Sequence, residues 1–115
     1  MKIAVASDDK KTISNHFGRA LGFVVFDVKE GKITGKEYRE NIGKSTGECH
    51  TCNHATMINN IKDCESVISH GMGMGIYNDL ESNKIKAVVT DEVIAEEAVK
   101  KYLKGNLANR TDRLH

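Results

Sequence analysis

The chain has 115 residues, enough for one domain with a modest core. Its hydrophobic share of 39% and charged share of 29% are those of a globular protein, which sets disorder aside. A formal charge of +1 gives no long-range field to gather polyanions, so nucleic acid is not an expected partner.

No apolar run approaches the roughly 18 residues of a membrane-spanning helix. Met1-Lys2-Ile3-Ala4-Val5 leads into a core strand rather than a tripartite signal peptide, so a cytoplasmic location is expected and a membrane partner is not. Lys2 to Ser7 lacks polar alternation, as a central strand buried on both faces does. Asp8 to Leu21 is a polar connection containing His16-Phe17-Gly18-Arg19. Phe23 to Val28 is a β-branched and aromatic strand, Glu30-Gly31 a tight turn, and Lys32 to Glu40 the polar return arm of a hairpin, suited to an exposed edge.

Asn41 to Asn53 is a loop carrying Cys49 and Cys52. His54 to Cys64 has Ala55, Ile58 and Ile61 at helical spacing, with Asn53 a candidate N-cap. Ser66 to His70 is a strand running into Gly71-Met72-Gly73-Met74-Gly75. A helix follows through Ile76, Tyr77 and Leu80, stopping near Asn83, and Lys86 to Thr90 is the last strand. The final helix carries an apolar stripe of Ile94, Ala95, Ala98, Val99, Tyr102 and Leu103. Asp91 and Glu92 stand at its start, Lys100, Lys101 and Lys104 at its end and Gly105 beyond. Residues 1–104 form a single α/β domain, and residues 105–115 read as a flexible C-terminal tail.

The order β-β-β-α-β-α-β-α predicts one five-stranded mixed sheet, strand order 3-2-1-4-5, with strand 2 antiparallel to the rest. The other four strands then end on one edge. Asp8, Asp9 and His16 follow the first strand, Cys49-His50-Thr51-Cys52-Asn53-His54 the third, His70 and the glycine run the fourth, and Thr90-Asp91 the fifth. Ligands of open α/β sheets favour this edge where connections diverge, here between strands 1 and 4.

The chain holds three cysteines, too few for a secreted disulfide framework. Cys49, Cys52, His50 and His54 offer thiolates and imidazoles that suit zinc, copper or iron–sulfur ligation, not calcium or magnesium. One such cluster needs further ligands to close a zinc site. An incidental loop or a reversible Cys49–Cys52 disulfide reads the same residues otherwise. Gly71, Gly73 and Gly75 could turn backbone N–H groups toward an anionic ligand, or simply form a tight turn; no Walker lysine follows. Met72 and Met74 are packing residues more often than ligands. His70 could equally be a satisfied core histidine, and Cys64 a buried thiol.

Met1-Lys2-Ile3-Ala4-Val5-Ala6-Ser7, His16-Phe17-Gly18-Arg19-Ala20 and Phe23-Val24-Val25-Phe26 resemble the dinitrogenase iron–molybdenum cofactor biosynthesis family over about residues 1–104. The resemblance implies a ribonuclease-H-like three-layer fold and a binding or carrier protein rather than an enzyme. The cargo it implies is an iron–sulfur or mixed-metal cluster, molybdenum among the metals, in metallocofactor assembly or delivery. Cofactor donor and acceptor proteins are the partners, and a monomer or weak dimer is expected. The family's histidine matches His16, with Phe17 and Gly18 beside it, and a cluster-contact role carries over to it. The roles of Cys49 and Cys52 rest on their own chemistry. Zinc is the alternative metal, in a zinc- or redox-responsive Cys-x-x-Cys protein. A two-metal nuclease would need Asp8, Asp9, Asp27 and Asp91 to converge, and Asp27 is expected at the opposite edge.

Overall fold

The computed structural model describes residues 1–14, 20–40, 58–105 and 107. They form strands β1 (Lys2–Ser7), β2 (Gly22–Lys29), β3 (Lys32–Glu40), β4 (Ser66–Ser69) and β5 (Lys86–Val89), with helices α1 (Met74–Ser82) and α2 (Ala95–Leu103). The strands make one sheet in the order β3-β2-β1-β4-β5. β2 runs antiparallel to β1 and β3, while β1, β4 and β5 are parallel. This is the topology expected from the order of elements.

Alternation along the strands divides the core between two faces. Ala4, Ala6, Phe23, Val25, Val67, Ala87 and Val89 pack with Ile58, Ile61, Met72, Ile76 and Leu80 on one. Ile3, Val5, Val24, Phe26, Ile68 and Val88 pack with Ala95, Ala98 and Val99 of α2 on the other. Burying β1 on both faces explains its unbroken apolar run, and β3, the edge strand among the described residues, mixes exposed and half-buried residues. The result is a three-layer α/β sandwich.

Local chemistry sets the element ends. Glu30 (φ 54°) and Gly31 (φ 75°) are both left-handed, which gives the β2–β3 hairpin a turn whose twist matches its strands. Helix α1 ends as expected at Asn83, with Lys84 in the left-handed conformation and the Ile85 amide donating to Leu80 O at 2.9 Å. Two expectations change. The acidic first turn of α2 is Glu96-Glu97, because the helix starts at Ala95, while Glu92 pairs with Lys101 at 2.5 Å. Strands β4 and β5 end at Ser69 and Val89, one residue earlier than the apolar patterns suggest.

Of the helix expected over His54 to Cys64, residues 58–60 are helical and 61–63 form a turn. Residues 54–57 and the candidate cap Asn53 lie outside the described residues. Arg39 of β3 holds this segment through Asp63 at 2.6 and 2.9 Å and the Asn60 carbonyl at 2.9 Å, and Lys2 adds a contact to Asp63 at 3.4 Å. Leu107 packs half-buried against the α2-side core; the remaining tail residues, 106 and 108–115, are not among those described.

Candidate functional site at the carboxyl edge of the sheet

Among the described residues, the edge where β1, β3, β4 and β5 end carries three connections that bond to one another. Residues 11–14, after β1, cross the ends of the parallel strands rather than looping into solvent. Ala95 donates to Lys11 O at 2.9 Å, Ile13 to Val93 O at 2.8 Å, and Ser14 to Ala6 O at 2.7 Å. The Ser14 carbonyl in turn accepts from the His70 amide at 3.2 Å. Ser14 thus lies in the crevice between β1 and β4, where the connections diverge.

A tight turn launches this strap. Asp9 accepts from the Lys11 and Thr12 amides at 2.9 and 2.7 Å and from the Thr12 hydroxyl at 2.9 Å. These bonds to the ionised form hold its carboxyl down at about 2. Lys10 takes a left-handed φ of 70°, its amide donating to the buried Ser7 hydroxyl at 2.9 Å. The Asp8 carboxylate accepts from the Leu21 amide at 2.8 Å, closing the connection at its far end. Asp8 and Asp9 are therefore turn-building groups.

His16, Phe17 and Gly18 lie outside the described residues, as do Cys49, His50, Cys52 and His54. Their anchors are described. The segment bearing His16 leaves from Ser14 and returns at Ala20, which is fully buried. Two residues on, Gly22 pairs in register with Glu40, from which the segment bearing the cysteines departs. That second segment returns near the same strand end, where the Asn60 side-chain amide donates to Glu40 O at 2.8 Å. The described ends of both segments lie along one edge.

Gly22 makes this pairing possible. A Cβ there would stand 2.4 Å from the Tyr38 ring and 2.5 Å from the Arg39 carbonyl oxygen. The sequence pattern did not single it out, since a strand-opening glycine has no distinctive spacing. Burial, with Asp8 and Glu40 nearby, pushes the Tyr38 phenol up.

Beyond β4, the Ser69 hydroxyl donates to Gly71 O at 3.0 Å, and Gly73 starts α1 with an extended backbone (φ −74°, ψ 153°). Left-handed glycines among the described residues are Gly31 and Gly105, so Gly71, Gly73 and Gly75 are not required for backbone freedom. Gly73 brings no capping side chain, and the first turn of α1 carries no acid. Met72 is buried core, whereas Met74 is exposed beside this helix start. His70 places Nε2 against the Glu92 carbonyl, tying the β4 end to the connection before α2.

Cys64 is structural. It is 4% exposed in the core, and burial, then the neighbouring Asp63 carboxylate, pushes its thiol up to about 12. Among the described residues no three His, Cys, Asp or Glu side chains gather to hold a metal ion. Asp27 sits opposite Lys2, at the far edge from Asp8 and Asp9, so the acids that a two-metal nuclease would need do not converge. No helix among the described residues is long and apolar enough to cross a membrane.

An open mixed sheet of this order, with two long connections anchored at its carboxyl edge, defines a small three-layer α/β domain. The chain belongs to the dinitrogenase iron-molybdenum cofactor family, whose model matches residues 1–105. It is 27% identical over 107 residues to the uncharacterized protein MJ0580 of Methanocaldococcus jannaschii, covering 93% of this chain and 89% of that protein. The crystal structure of PH0822 superposes with a TM-score of 0.75 at 26% identity, over 97% of this chain and 96% of that one. The apo form of the orange protein from Desulfovibrio gigas gives a TM-score of 0.78 at 20% identity, over 96% and 92% of the two chains, and so shares the fold.

Proposed function

We propose that this protein is a carrier or scaffold for an iron–sulfur-based cluster, molybdenum among the metals it would accept, and that it has no catalytic turnover of its own. The observation that carries the reading is the common tether. The connection bearing His16 leads into Gly22, and the one bearing Cys49 and Cys52 leaves from Glu40, its register partner at the carboxyl edge of the sheet. Family membership supports a metallocluster-related role.

The donor chemistry fits such a cargo. Two thiolates and the imidazoles of His16, His50 and His54 favour thiophilic metals over hard cations. Asp8 and Asp9, the carboxylates that follow β1, are engaged by backbone amides. Cys49, Cys52 and His16 would hold the cluster, with His50 and His54 as further ligands. Phe17 and Gly18 would shape the His16 segment. Gly71, Gly73 and Gly75 would present backbone N–H groups at the start of α1, whose dipole favours an anionic cargo. We place the protein in the cytoplasm, where such thiolates stay reduced. Donor and acceptor proteins for the cluster complete the scheme, with the carrier a monomer or weak dimer.

Anaerobic reconstitution with iron and sulfide, with and without molybdate, tests this. The expected outcome is a visible absorbance band with stoichiometric metal, lost in His16→Ala and in the pair Cys49→Ser and Cys52→Ser. Wild-type protein that takes up no metal would sink the reading. Uptake of zinc alone, dependent on the same cysteines, would transfer it to the zinc-responsive alternative.

A further inference from the structure

A second feature lies beside this edge, on the α2 side of the hairpin. A cleft of about 280 Å³ is lined by Val24, Lys10, Lys11, Lys36, Tyr38 and Glu37. Strand alternation decides which of these charges face it. Lys36 and Tyr38 stand opposite Phe26 and Val24, which belong to the α2-side core. Glu37 projects the other way, to Arg39 at 2.7 Å and Lys2 at 3.9 Å. The charged side chains of the cleft are thus three lysines, and among the described residues none of them lies within ion-pair distance of a carboxylate.

The cleft is built by costly local choices. Lys10 holds a left-handed φ of 70°, a conformation that disfavours a residue with a Cβ by roughly 1 kcal/mol. It is kept there by the Ser7 hydroxyl, and its ammonium lies 4.9 Å from the Tyr38 ring centroid. The ring itself lies over Gly22, where any side chain would collide with it. Asp8 and Glu40 are the acids whose charge reaches Tyr38; Asp8 is bonded to the Leu21 amide, and neither lines the cleft.

We propose that this cleft docks an acidic segment of a partner protein, whose glutamate or aspartate side chains pair with Lys10, Lys11 and Lys36 while its chain runs along edge strand β3. A protein segment fits better than a small anion. The three lysines are exposed on flexible stems, so they would hold an isolated ion weakly against water, whereas a chain engages all three at once. Among the described residues β3 is the edge strand, with its outer side open beside them. Lys10 and Lys11 belong to the connection that carries His16, so a docked partner would stand next to the carboxyl edge. The docking inference rests on the cleft alone and survives if the cluster reading fails.

Titration of the full chain with N-acetyl-hexaglutamate, followed by amide chemical shifts, tests it. Saturable shifts centred on residues 10, 11, 36 and 38 are expected, weakening as salt rises. The pair Lys10→Gln and Lys36→Gln should lower affinity about tenfold, while Lys84→Gln with Lys86→Gln, equal in charge but at the opposite, β5 edge of the sheet, should not. Equal loss in both double variants would reduce the effect to net charge and overturn the proposal. So would the absence of saturable shifts, or inorganic phosphate binding the same residues as tightly as the peptide.

Discussion

Gly22, Cys64 and Asp9 each do one job that its surroundings dictate. At Gly22 an added methyl would meet the Tyr38 ring and, less yieldingly, the Arg39 backbone carbonyl at 2.5 Å. Gly22→Ala should cost about 1–3 kcal/mol, read as a lower denaturation midpoint at unchanged slope. The Cys64 thiol, held near 12 by burial, stays protonated at neutral pH and is not a nucleophile in the native state. Iodoacetamide followed by mass spectrometry should leave Cys64 unmodified until denaturant is added. Asp9 sets a pH dependence with a definite sign. Its folded carboxyl titrates near 2 against an ordinary value of 3.8, so its stabilisation is fully present above about 4 and is lost as pH falls through 2. Asp9→Asn should flatten the acid limb of the unfolding curve between those values.

Among the elements, the β2–β3 hairpin and the 58–64 segment depend on different physics. The hairpin turn needs positive φ at Glu30 and Gly31, and Gly31→Ala should destabilise by about 1 kcal/mol although nothing lies within 4 Å of the added carbon. The 58–64 segment is pinned by Arg39 to Asp63, whose side chain is half exposed. Asp63→Asn should therefore cost no more than about 1 kcal/mol, and raised salt should shrink the difference from wild type. Thermal melts at low and high ionic strength check this.

For the whole molecule, strand order was legible because each local pattern agreed with the same topology. Ile3 to Ala6 reads as doubly buried, Lys32 to Glu40 as an edge, and the parallel βαβ steps admit one common hand. The family signature around His16 was equally local. The site was legible only as far as its edge, since strand direction determines where each connection begins. Residues 11–14 carry no periodic signal, so nothing in them announced that they cross to residues 93–95 and enter the crevice beside His70. The lysine cleft was hidden for a related reason. Lys10 and Lys11 meet Lys36 across about 25 positions of chain, and only the pleat of β3 turns Glu37 away from them. Burial patterns, turn residues and strand count were thus determined by the sequence itself, because they arise from neighbours along the chain. Which loops bond to one another, and which charges converge, was decided only in the tertiary structure, where hydrogen bonds and Coulomb interactions follow distance in space rather than distance along the backbone.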